Sequence, residues 1–441
     1  MLPERILIIG LGQSGLSCLR YCLARGVHPV VMDTRACPPG AEQLPEHIER
    51  HFGELKLAPM LAAELIIVSP GLALATPALQ QALAAGIEII GDIELFVREC
   101  RAPIVAITGS NGKSTVTTLV GEMATEAGIK VGVGGNIGTP ALDLLPSGQE
   151  PGEPSAGFEL MVLELSSFQL ETTPSLAACA ATVLNISEDH LDRYDSLAHY
   201  RDTKLQIYHR AGLAVYNRED DQTRPPAANA AVSFGFDATD YGRIEHQGEL
   251  WLSRFGEPVM PVSALRILGA HNQLNALAAM ALADQAKIPQ AAQLAVLRRF
   301  TGLAHRCQFV AEKQGVLWVN DTKATNVGAT LAAIAGMSAT VTGRLWLIAG
   351  GQGKEQDFSP LIPLLQDAIA GMVCFGQDRH QLLALADNTH EVNNLEEAVA
   401  WCALKARAGD CVLLAPACAS FDMYGNYQLR GEHFITLVEA L

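Results

Sequence analysis

The segment Thr108-Gly109-Ser110-Asn111-Gly112-Lys113-Ser114-Thr115 follows the apolar run 103–107 and opens a helix-like stretch through Glu126. Such a loop can turn its backbone N–H groups toward phosphate oxygens at a helix start. Lys113 offers a point charge for terminal phosphates, and Ser114 or Thr115 offers a hydroxyl for Mg²⁺. The pattern departs from the common phosphate loop at Ile107, where glycine is usual. Glu164 closes the apolar run 161–165. A carboxylate at a strand's C-terminal end beside a phosphate loop is placed to ligate magnesium. His190, in Asn185-Ile186-Ser187-Glu188-Asp189-His190-Leu191-Asp192, follows a further apolar strand and is a second candidate ligand. Alone it would read as an ordinary loop histidine; the company of Glu164 and Lys113 changes that. Lys204 lies in the helix-like stretch 200–208, where composition leaves it a solvated lysine.

A second glycine motif precedes these residues. Gly10-Leu11-Gly12-Gln13-Ser14-Gly15 matches G-x-G-x-x-G after a strand, with Asp33 at the end of the next apolar run. The glycines let backbone N–H groups approach a diphosphate, and an acid at that place can bind ribose hydroxyls. NAD satisfies the motif, and so does a UDP group; a ligand-free strand–helix turn is the plain alternative. A dehydrogenase has no use for the second loop at 108–115, whereas a transferase or ligase acting on a nucleotide-linked substrate needs both.

The elements that must hold these loops are short apolar runs at 6–9, 30–32, 65–68, 104–107, 161–165, 182–186, 345–348, 372–375 and 411–414, separated by helical stretches. That alternation predicts an α/β chain with parallel sheets covered on both faces. Strand–glycine-loop–helix patterns start at Ile6, at Ile104 and near Leu345. They predict three domains, 1–91, 92–302 and 303–441: Rossmann-like, phosphate-loop ATPase-like and again Rossmann-like. The Pro-, Gly- and Ser-rich stretch 146–157 reads as a surface loop inside the second. The chain has 441 residues, 49% hydrophobic and 18% charged, a globular balance that calls for more than one core. The formal charge of -16 argues against a nucleic-acid scaffold, which usually shows a basic face. Ten cysteines without a C-x-x-C pair fit buried, reduced thiols of a cytoplasmic protein. No signal-peptide pattern opens the chain and no run of apolar residues is long enough to span a bilayer.

The strings GSNGKST, ELSSFQLE, NISEDHLDRY, YRDTKLQIY, GAHNQLNALAA, AHRCQF, NDTKATN and PACASFD resemble the Mur ligases of peptidoglycan synthesis. The resemblance runs end to end and takes in GDIELF at 91–96 and VGGNIG at 133–138. It implies an N-terminal domain for UDP, a central ATPase and a C-terminal domain that closes over the site about a hinge near residue 302. It also implies a cytoplasmic, monomeric enzyme whose substrates are UDP-N-acetylmuramoyl-L-alanine and D-glutamate. ATP would phosphorylate the alanyl carboxylate and the amine of D-glutamate would displace the phosphate. The cofactors implied are two Mg²⁺ ions, with Mn²⁺ as a substitute.

Residue by residue, the resemblance makes Lys113, Glu164, His190 and Lys204 catalytic, with Ser114, Glu164, His190 and Lys204 around the metal. Lys204 matches a lysine carried as a carbamate. CO₂ adds only to a neutral amine, and the adduct turns a cation into an anion that can hold Mg²⁺. ATP is expected on Gly109, Ser110, Asn111, Gly112, Lys113, Ser114 and Thr115, with Asn275, Asp321 and Arg306 at adenine, ribose and phosphate. The UDP substrate is expected on Gln13, Ser14, Asp33, Thr34, Arg35, Ser69, Gly71 and Asn136. D-Glutamate is expected on Lys323, Thr325, Lys354, Ser420 and Tyr427, cations and hydroxyls suited to two carboxylates. Two positions depart from the family pattern: Gln352 where an acid is frequent, and Tyr427 where phenylalanine is usual. A sister Mur or folylpolyglutamate-type ligase adding another amino acid, and an NAD-binding oxidoreductase, are the competing readings.

Overall fold

The computed structural model describes residues 2–145, 157–190, 193–227, 229–267, 269–338 and 341–441. Most of the stretch 146–157, and Leu191 and Asp192, lie outside them. Among the described residues the chain forms three sheets of five, nine and six strands. The first contains β1 (Ile6–Ile9), β2 (Val30–Asp33), β3 (Arg50–Phe52), β4 (Leu65–Val68) and β5 (Glu88–Ile90) in the order β3-β2-β1-β4-β5. All its pairings are parallel. Every residue of β1 and β4 is buried, as strands covered on both faces require.

The second sheet contains β6 (Ile104–Thr108), β7 (Val131–Gly135), β8 (Leu160–Glu164), β9 (Ala180–Val183), β10 (Ala214–Asn217), β11 (Ala231–Phe234), β12 (Tyr241–His246), β13 (Glu249–Arg254) and β14 (Glu257–Pro261). Its order is β14-β13-β12-β11-β10-β9-β6-β8-β7. Strand β6 lies between β8 and β9, and Ile107 is in register with Glu164 and with Thr182. The loops after these three strands therefore leave the sheet along one edge, the carboxyl ends, where open α/β sheets bind ligands. The helix Lys113–Glu126 follows β6 directly and packs on the helix Ala270–Gln285, whose small buried alanines allow close approach.

The third sheet contains β15 (Gln308–Lys313), β16 (Val316–Asn320), β17 (Leu345–Gly350), β18 (Ile369–Phe375), β19 (Thr389–Glu391) and β20 (Cys411–Leu414), ordered β15-β16-β20-β17-β18-β19. It differs from the expected pattern at its start. An antiparallel pair, β15 and β16, comes before the run at 345, and the second sheet likewise ends in antiparallel strands β12 to β14. Strands β12, β13 and β15 are half exposed, so polar and apolar residues mix along them and no continuous apolar run marks them. Strand β16 is largely buried, and its apolar run at 316–319 was passed over in the sequence. The glycine turn after β17 is present at Gly350 and Gly351, but the next α-helix, Ile362–Gln366, begins only after a loop and a 3₁₀ turn.

The buried guanidinium of Arg430 clasps the third sheet from the helix Tyr427–Glu439. It donates to Thr322 Oγ1 and to the carbonyls of Thr322, Gly350, Cys418 and Ala419. Four loop carbonyls and a hydroxyl are thereby satisfied by one planar fork.

Candidate active site

The loop 109–112 is held open from below. Gly109 has φ +148° and Gly112 φ +82°, and a Cβ on Gly112 would stand 2.5 Å from Asn275 Oδ1. Glycine is the residue that tolerates both the backbone and the approach. Asn185, just past β9, pins the loop: its Oδ1 accepts from Asn111 N at 2.8 Å and its Nδ2 donates to Asn111 O at 3.1 Å. Lys113 folds back across the turn, donating from Nζ to Gly109 O at 2.8 Å and Ser110 O at 2.9 Å. Burial, reinforced by the Arg306 charge and opposed by Glu164 and Asp189, holds its ammonium below the ordinary lysine range.

Glu164 stands among the cationic side chains of this site. Its Oε2 accepts from Ser114 Oγ at 2.7 Å and its Oε1 from Asn136 Nδ2 at 2.8 Å. Arg306, from the segment leading into the third sheet, donates to the same Ser114 Oγ at 2.7 Å. Lys204 is 1% exposed and donates to Gly109 O at 3.0 Å and Thr108 Oγ1 at 3.3 Å. Burial and the neighbouring Lys113 charge push its ammonium well below the ordinary lysine value. A lysine that composition leaves solvated is thus enclosed. His190 adopts φ +57° and stacks edgewise on Phe168 at 4.7 Å. Its Nε2 lies 3.7 Å from Asp189 Oδ2. Among the described residues no three His, Cys, Asp or Glu side chains converge as a ready-made metal site. The hydroxyl and carboxylate of Ser114 and Glu164 are nonetheless the hard oxygen donors that Mg²⁺ takes.

Three cavities meet here. One of about 590 Å³ is lined by Gln13, Ser14, Asp33, Thr34, Arg35, Ser69, Gly71 and Asn136, the whole set expected for the UDP substrate. A second, of about 510 Å³, is lined by Lys113, Ser114, Glu164, His190, Lys204 and Arg306, and on its far wall by Lys323, Thr325, Lys354 and Tyr427. A third, of about 120 Å³, gathers Asn275, Arg306 and Asp321 beside Gly112 and Thr115. Asn136 belongs to the first two and Arg306 to the last two.

Family models match along the chain: a Mur ligase MurD-like N-terminal domain at 4–91, a Mur ligase middle domain at 107–283, and a Mur ligase glutamate ligase domain at 305–418. The chain belongs to the Mur ligase family. It is 54% identical to the UDP-N-acetylmuramoylalanine–D-glutamate ligase of Pectobacterium atrosepticum, over 99% of this chain and 98% of that one. It is 53% identical to the Escherichia coli ligase of the same name, with the same coverage. Among solved structures, UDP-N-acetylmuramate–alanine ligase MurC from Thermotoga maritima shares the fold, with a TM-score of 0.61 and 20% identity over 99% of both chains.

Some expected site residues of this Mur ligase sit differently from their sequence reading. Ser420 is 2% exposed and lines none of the three cavities; its carbonyl accepts from Met423 N and Tyr424 N in a turn. The Asp33 carboxylate, expected to meet ribose hydroxyls, is taken up by its own loop. Its Oδ2 accepts from Leu11 N and Arg35 Nη2, and its Oδ1 from Arg35 N and Nε. Despite its burial, those donors hold Asp33 below the usual carboxylate range. It shapes the loop and aims Arg35. At the Gln352 departure, the backbone of Gln352 pairs with Ala419 in both directions, and Lys354, at φ +54°, still reaches the central cavity. Tyr427 lies under Lys323, whose Nζ is 4.4 Å from the ring centre, a contact phenylalanine would also make. Burial, with the Arg306 and Lys113 charges, lowers Lys323 to about 8. Burial raises Asp321 to about 6.

Sequence reading passed over two contributors. Asn185 ties the phosphate loop to β9, and Asp189 faces the cavity, where Asn326 Nδ2 reaches its Oδ2 at 3.4 Å. Both stand in the polar run directly after an apolar strand, the signal that singled out His190 alone.

Proposed function

We propose that the chain joins D-glutamate to UDP-N-acetylmuramoyl-L-alanine with hydrolysis of ATP to ADP and phosphate, in cytoplasmic peptidoglycan precursor synthesis. The observation that carries this reading is the double membership of Asn136. It lines the first cavity, where a UDP-sugar fits, and donates to Glu164 in the second, beside Lys113. A carboxylate extended from a nucleotide-sugar in the first cavity arrives at the phosphate loop. The names of the relatives at 53–54% identity support the choice of substrates.

The domains are placed at 1–91, 92–302 and 303–441. In this reading ATP lays its adenosine near Asn275 and Asp321 and its phosphates along residues 109–115. Lys113 and Arg306 neutralise charge as the γ-phosphoryl passes to the alanyl carboxylate, chiefly a positioning and electrostatic task. Ser114, Glu164, His190 and a carbamate on Lys204 would hold Mg²⁺, two ions or Mn²⁺ in its place, which supplies further charge neutralisation to the phosphates. The lowered ammonium of Lys204 supports the carbamate, because CO₂ requires a neutral amine. Lys323, Lys354, Thr325 and Tyr427 hold the D-glutamate carboxylates. Its neutral amine attacks the acyl phosphate carbon, gives up a proton, and phosphate leaves as the amide forms. Closure of the third domain about residue 302 excludes water, which would hydrolyse the acyl phosphate. We take the chain to act as a monomer. Among the described residues no helix is long and apolar enough to cross a membrane.

The test is phosphate release from ATP with UDP-N-acetylmuramoyl-L-alanine and single amino acids. D-Glutamate is expected to be active, and L-lysine, diaminopimelate and L-alanine inactive. Activity with one of the latter would identify a sister ligase, and tight quenching of NADH fluorescence would restore the dehydrogenase reading.

A further inference from the structure

We propose that Arg193 is a positioning residue that couples the nucleotide-sugar loop to the catalytic histidine. The inference rests on the function proposed above and goes beyond it, since it assigns a role to a side chain that lines neither substrate cavity. The segment Ser69 to Leu72 forms one wall of the 590 Å³ cavity. Arg193 grips that segment from behind, donating from Nη1 to Pro70 O at 2.7 Å and from Nη2 to Leu72 O at 3.3 Å.

The same guanidinium lies over the Phe168 ring, 4.1 Å from its centre. His190 meets Phe168 edge-on, with ring centres 4.7 Å apart. Phe168 and His190 both line the 510 Å³ cavity. The backbone tightens the link, because Arg193 N donates to His190 O at 2.9 Å. Glu171 balances the charge: its Oε2 accepts from Arg193 Nη2 at 2.8 Å and its Oε1 from Tyr194 O–H at 2.6 Å. The Arg193 side chain is 11% exposed, so these partners replace water at Nη1 and Nη2, while Nε is buried without a hydrogen-bond partner.

One rigid plane thus sets two distances together: how far the UDP-side loop stands from the central sheet, and where the imidazole of His190 sits. A lysine cannot do both. Its single ammonium can serve the carbonyls or the carboxylate, but it lacks the planar face that stacks on Phe168. Misplacement of reacting groups by about 1 Å can lower a rate by roughly 100-fold.

The experiment compares wild type, Arg193→Ala, Arg193→Lys and Phe168→Ala by steady-state phosphate release. It adds calorimetric binding of UDP-N-acetylmuramoyl-L-alanine and a melting curve for each. Arg193→Ala is expected to raise KM and Kd for the UDP substrate at least tenfold and lower kcat at least tenfold, with KM for D-glutamate within about twofold. Arg193→Lys should recover little. Guanidinium at non-denaturing concentration should restore part of the Arg193→Ala activity and none of the Phe168→Ala activity. Phe168→Ala should lower kcat while leaving Kd for the UDP substrate near the wild-type value. The proposal is overturned if Arg193→Ala keeps wild-type parameters. It is equally overturned if kcat falls only in proportion to the folded fraction while every KM stays at its wild-type value, with no response to guanidinium. Failure of the wild-type protein to bind the UDP substrate would instead overturn the function itself.

Discussion

Replacing Gly112 with alanine should injure nucleotide binding more than folding. The residue holds φ +82°, where an L-residue is strained by about 1–2 kcal/mol. The new methyl would also stand 2.5 Å from Asn275 Oδ1, well inside van der Waals contact. Asn275 cannot retreat freely, because its Nδ2 donates to Asn272 Oδ1 at 3.0 Å and the side chain is buried against the helix Lys113–Glu126. Strain and clash together make roughly 2 kcal/mol, a Tm lowered by about 4–8 °C for a domain of this size. The kinetic effect is larger. The loop N–H groups shift by a sizeable fraction of an ångström from their phosphate positions, and kcat/KM for ATP should fall about 30- to 100-fold. KM for the UDP substrate, bound in the neighbouring cavity, should change less than threefold. Phosphate release across an ATP titration, with Tm by differential scanning fluorimetry, measures both. A lower Tm with an unchanged KM for ATP would refute the placement of ATP on this loop.

Lys204→Ala should be nearly inactive, and short carboxylic acids such as acetate should restore part of the rate if the site lacks an anion; rescue by methylamine instead would show that a cation is needed. Lys323, lowered to about 8 by burial, should lose its charge as pH rises through 8. KM for D-glutamate should then rise on the alkaline side, and Lys323→Arg should flatten that limb. Its effect on stability has the opposite sense. The unfolded chain keeps the proton to about pH 10.4, so the penalty of a buried ammonium is full below pH 8 and is relieved between the two values. Thermal melts of wild type and Lys323→Met against pH read this difference. Arg430→Met should destabilise the third sheet by about 3–5 kcal/mol, because several buried carbonyls lose their donor at once. Urea unfolding followed by the fluorescence of Trp318 and Trp346 would report it.

Much of the fold could be read from the chain because the parallel strands at 6–9, 65–68, 104–108 and 411–414 are wholly buried and, Thr108 apart, apolar. The antiparallel strands β12, β13 and β15 were not legible, since they are half exposed and mix polar with apolar residues; β16 was legible as a buried apolar run but was passed over. The motif residues of the candidate site lie together because β6, β8 and β9 share one edge, and each motif sits where its strand ends. Side-chain direction is another matter. Ser420 and Asp33 carry suitable chemistry, yet one turns into the protein and the other bonds its own loop. Arg193 and Arg430 were invisible for the reverse reason. Their worth lies in backbone carbonyls gathered from distant segments, and a carbonyl has no signature in the alphabet of side chains.

The clasp formed by Arg430 carries a consequence for how the protein is made. Strands β16, β17 and β20 are synthesised well before the helix bearing that guanidinium, and the carbonyls it gathers come from residues 322, 350, 418 and 419. Until Arg430 is in place, the carbonyls of these loops have no guanidinium to gather them. The order of synthesis therefore puts the clasp after every strand it ties together, and the third sheet is locked only when its final helix docks.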